Sequence, residues 1–270
     1  MSRIRIDLLA ISLCYLFISP TQAASTDERA RAPTVVLVHG AFADASSWNG
    51  VIPKLQAEGY EVIAVANPLR SLAGDSAYVS ALLKTIPGPV ILVGHSYGGS
   101  VISNAALGHY NVKALVYVAG FALEAGESTF GMSAKFPGAK LGAALAPPVA
   151  LAGGGKDLYI KQSEFRAPFA ADLSSAQAKL AAATQRPLTE AAGNEPSGQP
   201  AWQTLPNWSI YGSADLAIPP AAMAFMAECS KARRIQVVNG ASHVVMVTHP
   251  AAVAKMVVEA VTATTAADAT

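Results

Sequence analysis

The chain has 270 residues, of which 52% are hydrophobic and 14% charged, against about 25% charged in an average soluble domain. That composition supplies a sizeable core and excludes a disordered or fibrous chain. Lys and Arg number 19 against 18 Asp and Glu, with Arg233-Arg234 the only adjacent basic pair, so the clustered basic surface that nucleic acid requires is missing.

At the N-terminus, Arg3 and Arg5 precede an apolar run from Leu8 to Ile18, and Thr21, Ala23 and Ala24 follow. This is the layout of a secretory leader over residues 1–23, and it implies an exported protein, periplasmic or secreted. The apolar run is well short of the roughly 20 residues that span a bilayer, so no membrane span is expected once the leader is removed. Beyond it acidic and basic residues balance and Cys229 is the one cysteine left, which rules out an internal disulfide. Residues 24–33 read as a polar tether.

From Pro33 onward, short β-branched runs alternate with helix-length segments, the pattern of an α/β fold with a mostly parallel central sheet and helices on both faces. The expected strands are Thr34 to Val38, Glu61 to Val65, Pro89 to Val93, Lys113 to Val118, Trp208 to Tyr211 and Arg234 to Val238. Helices are expected over Trp48 to Glu58, Ser76 to Thr85, Ser96 to Leu107, Pro219 to Ser230 and Pro250 to Val261. The interval between Val118 and Trp208 is far too long for an ordinary crossover. It reads as a small lid inserted at about residues 121–206, with helical patterning at Ser163 to Ala171 and Ser174 to Thr184. Gly153 to Lys156 reads as a flexible loop, since no strand leads into it and no Ser or Thr follows the Lys. The domain then covers residues 34–262, and 263–270 form a tail.

The most informative stretch is Val90 to Gly99, in which Gly94-His95-Ser96-Tyr97-Gly98 lies between a strand and a helix. A Gly-x-Ser-x-Gly turn there lifts the serine hydroxyl clear of the backbone, and its small flanking residues let the chain pass. A hydroxyl is a poor nucleophile near neutral pH and needs a base, which in turn needs an orienting carboxylate. His243, after the last strand, takes the base role. Asp215, after the strand ending at Tyr211, takes the acid role, with Glu124 as a second position from which a carboxylate reaches a histidine. The developing oxyanion needs N–H donors: Tyr97, after the nucleophile, and Ala41, in a loop that Gly40 lets turn sharply. His39 and His95 flank glycines at strand ends and read as packing residues. Phe42, Phe130, Phe165 and Trp202 either line an apolar substrate pocket or pack the lid onto the sheet.

These motifs together resemble the α/β-hydrolase superfamily, from about Thr34 to Val258. Val38 to Phe42, continuing to Trp48, looks like the oxyanion loop of small serine esterases related to plant methyl-ester esterases and hydroxynitrile lyases, and Gly94 to Gly99 looks like their elbow. The resemblance implies a triad of Ser96, His243 and Asp215, an oxyanion hole of Ala41 and Tyr97, and no metal or organic cofactor. The lyases typically carry Thr after the loop histidine and often Lys after the catalytic one, whereas this chain has Gly40 and Val244. Hydrolysis of a small uncharged ester is therefore expected. The alternatives are a lactone, amide or C–C bond cleaved by the same triad, or an idle binding protein of the same fold.

Overall fold

Runs of Val, Leu and Ile dictate the strands, because β-branched side chains pack well on a pleated surface buried on both faces. A computed structural model describes residues 32–265; the expected leader and almost all of the expected tether lie outside them. In chain order the strands are β1 (Thr34–Val38), β2 (Val62–Val65), β3 (Val90–His95), β4 (Val112–Val118), β5 (Val149–Ala150), β6 (Lys156–Leu158), β7 (Leu188–Thr189), β8 (Asn207–Gly212) and β9 (Arg234–Val238). A six-stranded sheet runs in the order β2-β1-β3-β4-β8-β9, and every neighbouring pair in it is parallel. β1, β3 and β4 are almost wholly buried.

The order of the strands locates the site. After β1 the chain moves outward to β2, then returns to lay β3 against the other side of β1. In open α/β sheets, ligands bind beyond the strand C-termini at such a reversal. Val38 pairs with Gly94, so β1 and β3 end side by side and the loops that leave them meet.

The helices differ from expectation mainly at their ends. The expected Trp48 to Glu58 helix is split into a 3-10 turn at Ala45–Trp48, capped by the Asp44 side chain, and a helix at Ile52–Ala57. Pro53 in that helix's first turn explains the fresh start, since a proline is tolerated there and not mid-helix. The next helix, Leu72–Leu83, starts ahead of the expected Ser76 because Ser71 caps it, its Oγ accepting from Gly74 N–H. The last helix, Pro250–Thr265, runs past Ala263, where a tail was expected.

Residues between β4 and β8 form the insertion. Its helices include Thr129–Lys135, Arg166–Phe169 and Ser175–Thr184, the last started by a capping box in which Ser174 and Gln177 satisfy each other's backbone N–H groups. It also holds a three-stranded antiparallel sheet, β5-β6-β7, whose strands are too short to show a period in the sequence. The Gly153 to Lys156 stretch is correspondingly not a free loop. Gly154 and Gly155, at φ 87° and 86°, turn the chain from β5 into β6, which begins at Lys156.

Helix Tyr97–Ala105 crosses the end of β1 so closely that a Cβ on Gly98 would overlap the Val38 carbonyl. Backbone atoms on both sides leave nothing to yield. Gly98→Ala is expected to destabilise the fold by about 1–3 kcal/mol, the usual cost of overpacking, as a lower urea midpoint; an unchanged midpoint would contradict this packing.

Candidate active site

β3 delivers the chain to Ser96 at φ 52° and ψ −126°, a left-handed conformation that costs energy for any residue with a Cβ. The turn is held through the Ser96 carbonyl, which accepts from Gly99 N–H at 2.9 Å and Phe121 N–H at 3.1 Å. The serine is 7% exposed.

The loop after β1 comes down onto this turn. A Cβ on Gly40 would stand 2.6 Å from Ser96 Cβ and 3.1 Å from Tyr97 N, an approach open only to glycine. Gly40 therefore serves close contact rather than a sharp bend. The bend falls on Phe42, at φ 58°, whose N–H donates to the Arg186 carbonyl of the insertion at 2.9 Å. Among the described residues neither Ala41 N–H nor Tyr97 N–H donates to any acceptor. Two backbone donors thus stand free beside one serine.

Asp215 follows β8 and His243 follows β9. Asp215 Oδ1 accepts from Ala217 N–H at 2.8 Å and Ile218 N–H at 2.9 Å, and Oδ2 accepts from His243 Nδ1–H at 2.7 Å. Since the carboxylate accepts, Nδ1 carries the hydrogen and the neutral ring keeps its lone pair at Nε2. The acid that holds the histidine is Asp215; Glu124 instead sits in a turn where its N–H donates to Glu127. The His95 ring lies 4.8 Å from the His243 ring, centroid to centroid, and its Nε2–H donates to the His243 carbonyl at 3.2 Å. The residue just before Ser96 therefore fixes the backbone of His243. No hydrogen bond joins Ser96 Oγ to His243 in this conformation, a contact that is often long until substrate arrives.

The flanking histidines are locked neutral. His39 Nδ1–H donates to the Gly40 carbonyl at 2.9 Å, and its Nε2 accepts from Asn67 N–H at 3.1 Å, so a second proton would displace that bond. Burial pushes its pKa down to about 4. Burial, then the neighbouring His243, pushes His95 down as well.

The aromatic residues divide. Phe42 and Phe165 line a cavity of about 360 Å³ beside the site. Phe130 and Trp202 do not: Phe130 packs against Gly193 within the insertion, and Trp202 Nε1–H donates to the Leu123 carbonyl at 3.1 Å, pinning the insertion's root. Among the phenylalanines it is Phe169 that packs on His243, its ring centroid 5.1 Å from that of His243 and 6.1 Å from that of Phe42. Nothing in the sequence separates it from the other phenylalanines.

Two carboxylates, Asp172 and the buried Asp75, also escape sequence reasoning. Asp172, in the insertion, accepts from Ser242 N–H at 3.2 Å and from Ser242 Oγ, directly before His243. Burial raises its pKa, but hydrogen bonds from Ser242 and Thr248 outweigh that and hold the carboxyl below the ordinary aspartate value. Asp75 accepts from Tyr97 OH at 2.8 Å and from Arg70 N–H at 3.1 Å, which steadies the residue after Ser96.

Residues 35–256 match the model of the alpha/beta hydrolase family. A curated relative, the alpha/beta hydrolase nvfD of Aspergillus novofumigatus, is 30% identical over 118 residues, 37% of this chain and 47% of that protein. The match thus spans about half the relative's length. Among solved structures, polyneuridine aldehyde esterase superposes with a TM-score of 0.74 at 19% identity, covering 85% of this chain and 99% of that one. A methylesterase from Arabidopsis gives 0.68 at 19% identity over the same shares, 85% and 99%. At these identities the likeness is one of fold.

A histidine whose folded pKa lies below its unfolded value stabilises the fold above the unfolded pKa and loses that contribution as pH falls. For His39, lowered from 6.5 to about 4, stability is expected to drop between those values by about 3 kcal/mol. Urea midpoints measured across that window test it, with His39→Asn flattening the curve; a wild-type curve already flat there would contradict the burial of a neutral ring.

Proposed function

Because this chain belongs to the alpha/beta hydrolase family, we propose that it is a serine hydrolase cleaving a small, uncharged carboxylic ester through Ser96, His243 and Asp215. The observation that carries this reading is the strained Ser96 turn, with the unpaired Ala41 and Tyr97 N–H groups beside it and an aspartate-bound imidazole packed against it. The ester assignment draws on the solved relatives, an esterase and a methylesterase by name, and on apolar walls at Phe42, Phe165 and Phe169.

Ser96 Oγ attacks the carbonyl carbon while its proton passes to His243 Nε2. Negative charge gathers on the carbonyl oxygen, where the Ala41 and Tyr97 N–H groups stabilise it, a contribution worth about 10²–10³ in rate per donor. The imidazolium, oriented by Asp215, hands its proton to the leaving alkoxide as the C–O bond breaks. Water then attacks the acyl-enzyme with His243 as base and releases the acid. These steps call on no metal or organic cofactor. The N-terminal leader pattern adds the inference that the enzyme works outside the cytoplasm.

Ser96→Ala is expected to lower p-nitrophenyl acetate hydrolysis by at least about 10³-fold with an unchanged circular dichroism spectrum. Retention of a tenth of the activity would exclude Ser96 as nucleophile, and faster turnover of a lactone, amide or β-diketone would redirect the substrate class. Asp172→Asn, which acts on His243 through Ser242, is expected to cost about 10-fold in kcat, as small misplacements of a reacting group do, with KM little changed. A loss confined to KM would contradict a role in placing the base.

A further inference from the structure

The cavity of about 360 Å³ lies between the insertion and the loop after β1. Phe42, Phe169 and Val244 form its inner wall, and each touches or adjoins the proposed machinery. Phe42 follows Ala41, Val244 follows His243, and Phe169 covers the imidazole at 5.1 Å. Ala181 and Thr184, on helix Ser175–Thr184, form the outer wall. Its one charged lining residue is Asp44, and no Lys or Arg lines it.

We infer that this cavity receives the hydrocarbon of the leaving alcohol and that the alcohol is aromatic; the inference rests on the esterase reading above. The imidazole must give its proton to the leaving oxygen, so the alcohol side of the tetrahedral intermediate faces His243. Phe169 and Val244, which stand on the imidazole's side, line the cavity, and Tyr97 does not. Phe42 and Phe169 meet edge to face at 6.1 Å and 88°, an aromatic wall against which a further flat ring packs favourably. The volume is near the lower end of the roughly 300–1,000 Å³ typical of small-molecule sites, room enough for a fused bicyclic ring. Asp44 and the lack of a cationic partner turn away an anionic alcohol.

Three probes separate the alcohol side from the acyl side: 2-naphthyl acetate, methyl 2-naphthoate and methyl acetate. Ala181→Trp fills the outer wall, and Thr184→Trp, at an exposed lining position, serves if the first variant misfolds. Either is expected to cut the kcat/KM ratio of 2-naphthyl acetate to methyl acetate by about 10-fold or more, the scale on which pocket contacts discriminate, chiefly through KM. The ratio of methyl 2-naphthoate to methyl acetate should hold. Fluorescence titration of 2-naphthol into Ser96→Ala needs no turnover, and saturable binding weakened by the same tryptophan is expected. Equal effects on both naphthyl esters, no effect on either, or turnover of 2-naphthyl acetate without 2-naphthol binding would overturn the inference while the esterase reading stands. Binding of 2-naphthol with no ester turned over would overturn the esterase reading and, with it, the leaving-group assignment.

Discussion

β1 and β3 lie side by side and end together, and that neighbourhood forces the backbone conformation at Ser96. Val38 pairs with Gly94, so the two departing loops occupy one space and only small residues relieve the collision. A left-handed φ at a serine costs about 1–3 kcal/mol, and the two N–H bonds to its carbonyl hold the turn against that cost. The same crowding leaves Ala41 N–H and Tyr97 N–H without acceptors, because Ala41 lies in a loop leaving the sheet and Tyr97 opens a helix, whose first N–H groups have no intrahelical partner. The proposed nucleophile and oxyanion donors thus arise from one geometric constraint.

The insertion completes the site by fastening itself to three of the segments around it. Arg186 holds Phe42 through its carbonyl, Asp172 holds Ser242, and Glu195 accepts from Leu72 N–H at 2.5 Å and Ala73 N–H at 3.1 Å at the start of a helix. Arg70 reaches Asp157 at 2.6 Å, but its side chain is 43% exposed, and an ion pair of that kind contributes little alone. The tethers that matter are bonds donated by backbone N–H groups, which lose their partner outright when broken. They leave His243 and Asp215 each 1% exposed, in surroundings where charge developing during reaction interacts strongly.

Much of this was legible in the sequence because each feature rests on a local rule. The six main strands show as β-branched runs, and the positions of Ser96, Asp215 and His243 follow from the order of strand ends. What stays open or is misread in the sequence turns on contact across long separations. Phe130 and Trp202 share composition with Phe42 and Phe165, and only tertiary packing decides which ring faces the cavity. In the sequence Gly40 reads as a bend, but its task is close approach, and the bend falls on Phe42, a residue whose type gives no hint of a left-handed φ. Asp172 and Asp75 carry no motif, since an acceptor that serves a backbone N–H 70 residues away leaves no periodic trace. Strands as brief as β5 and β7 are likewise invisible to a period-two reading.

The central claim is that Ser96 Oγ, the Ala41 and Tyr97 N–H groups and the imidazole converge on one reacting carbon. The most direct measurement is a crystal structure of the protein after treatment with diethyl p-nitrophenyl phosphate. Phosphorus is expected bonded to Ser96 Oγ, with the phosphoryl oxygen about 2.7–3.1 Å from both N–H nitrogens and an ester oxygen turned toward His243 Nε2. An unmodified Ser96, or a phosphoryl oxygen directed away from Ala41 and Tyr97, would contradict it.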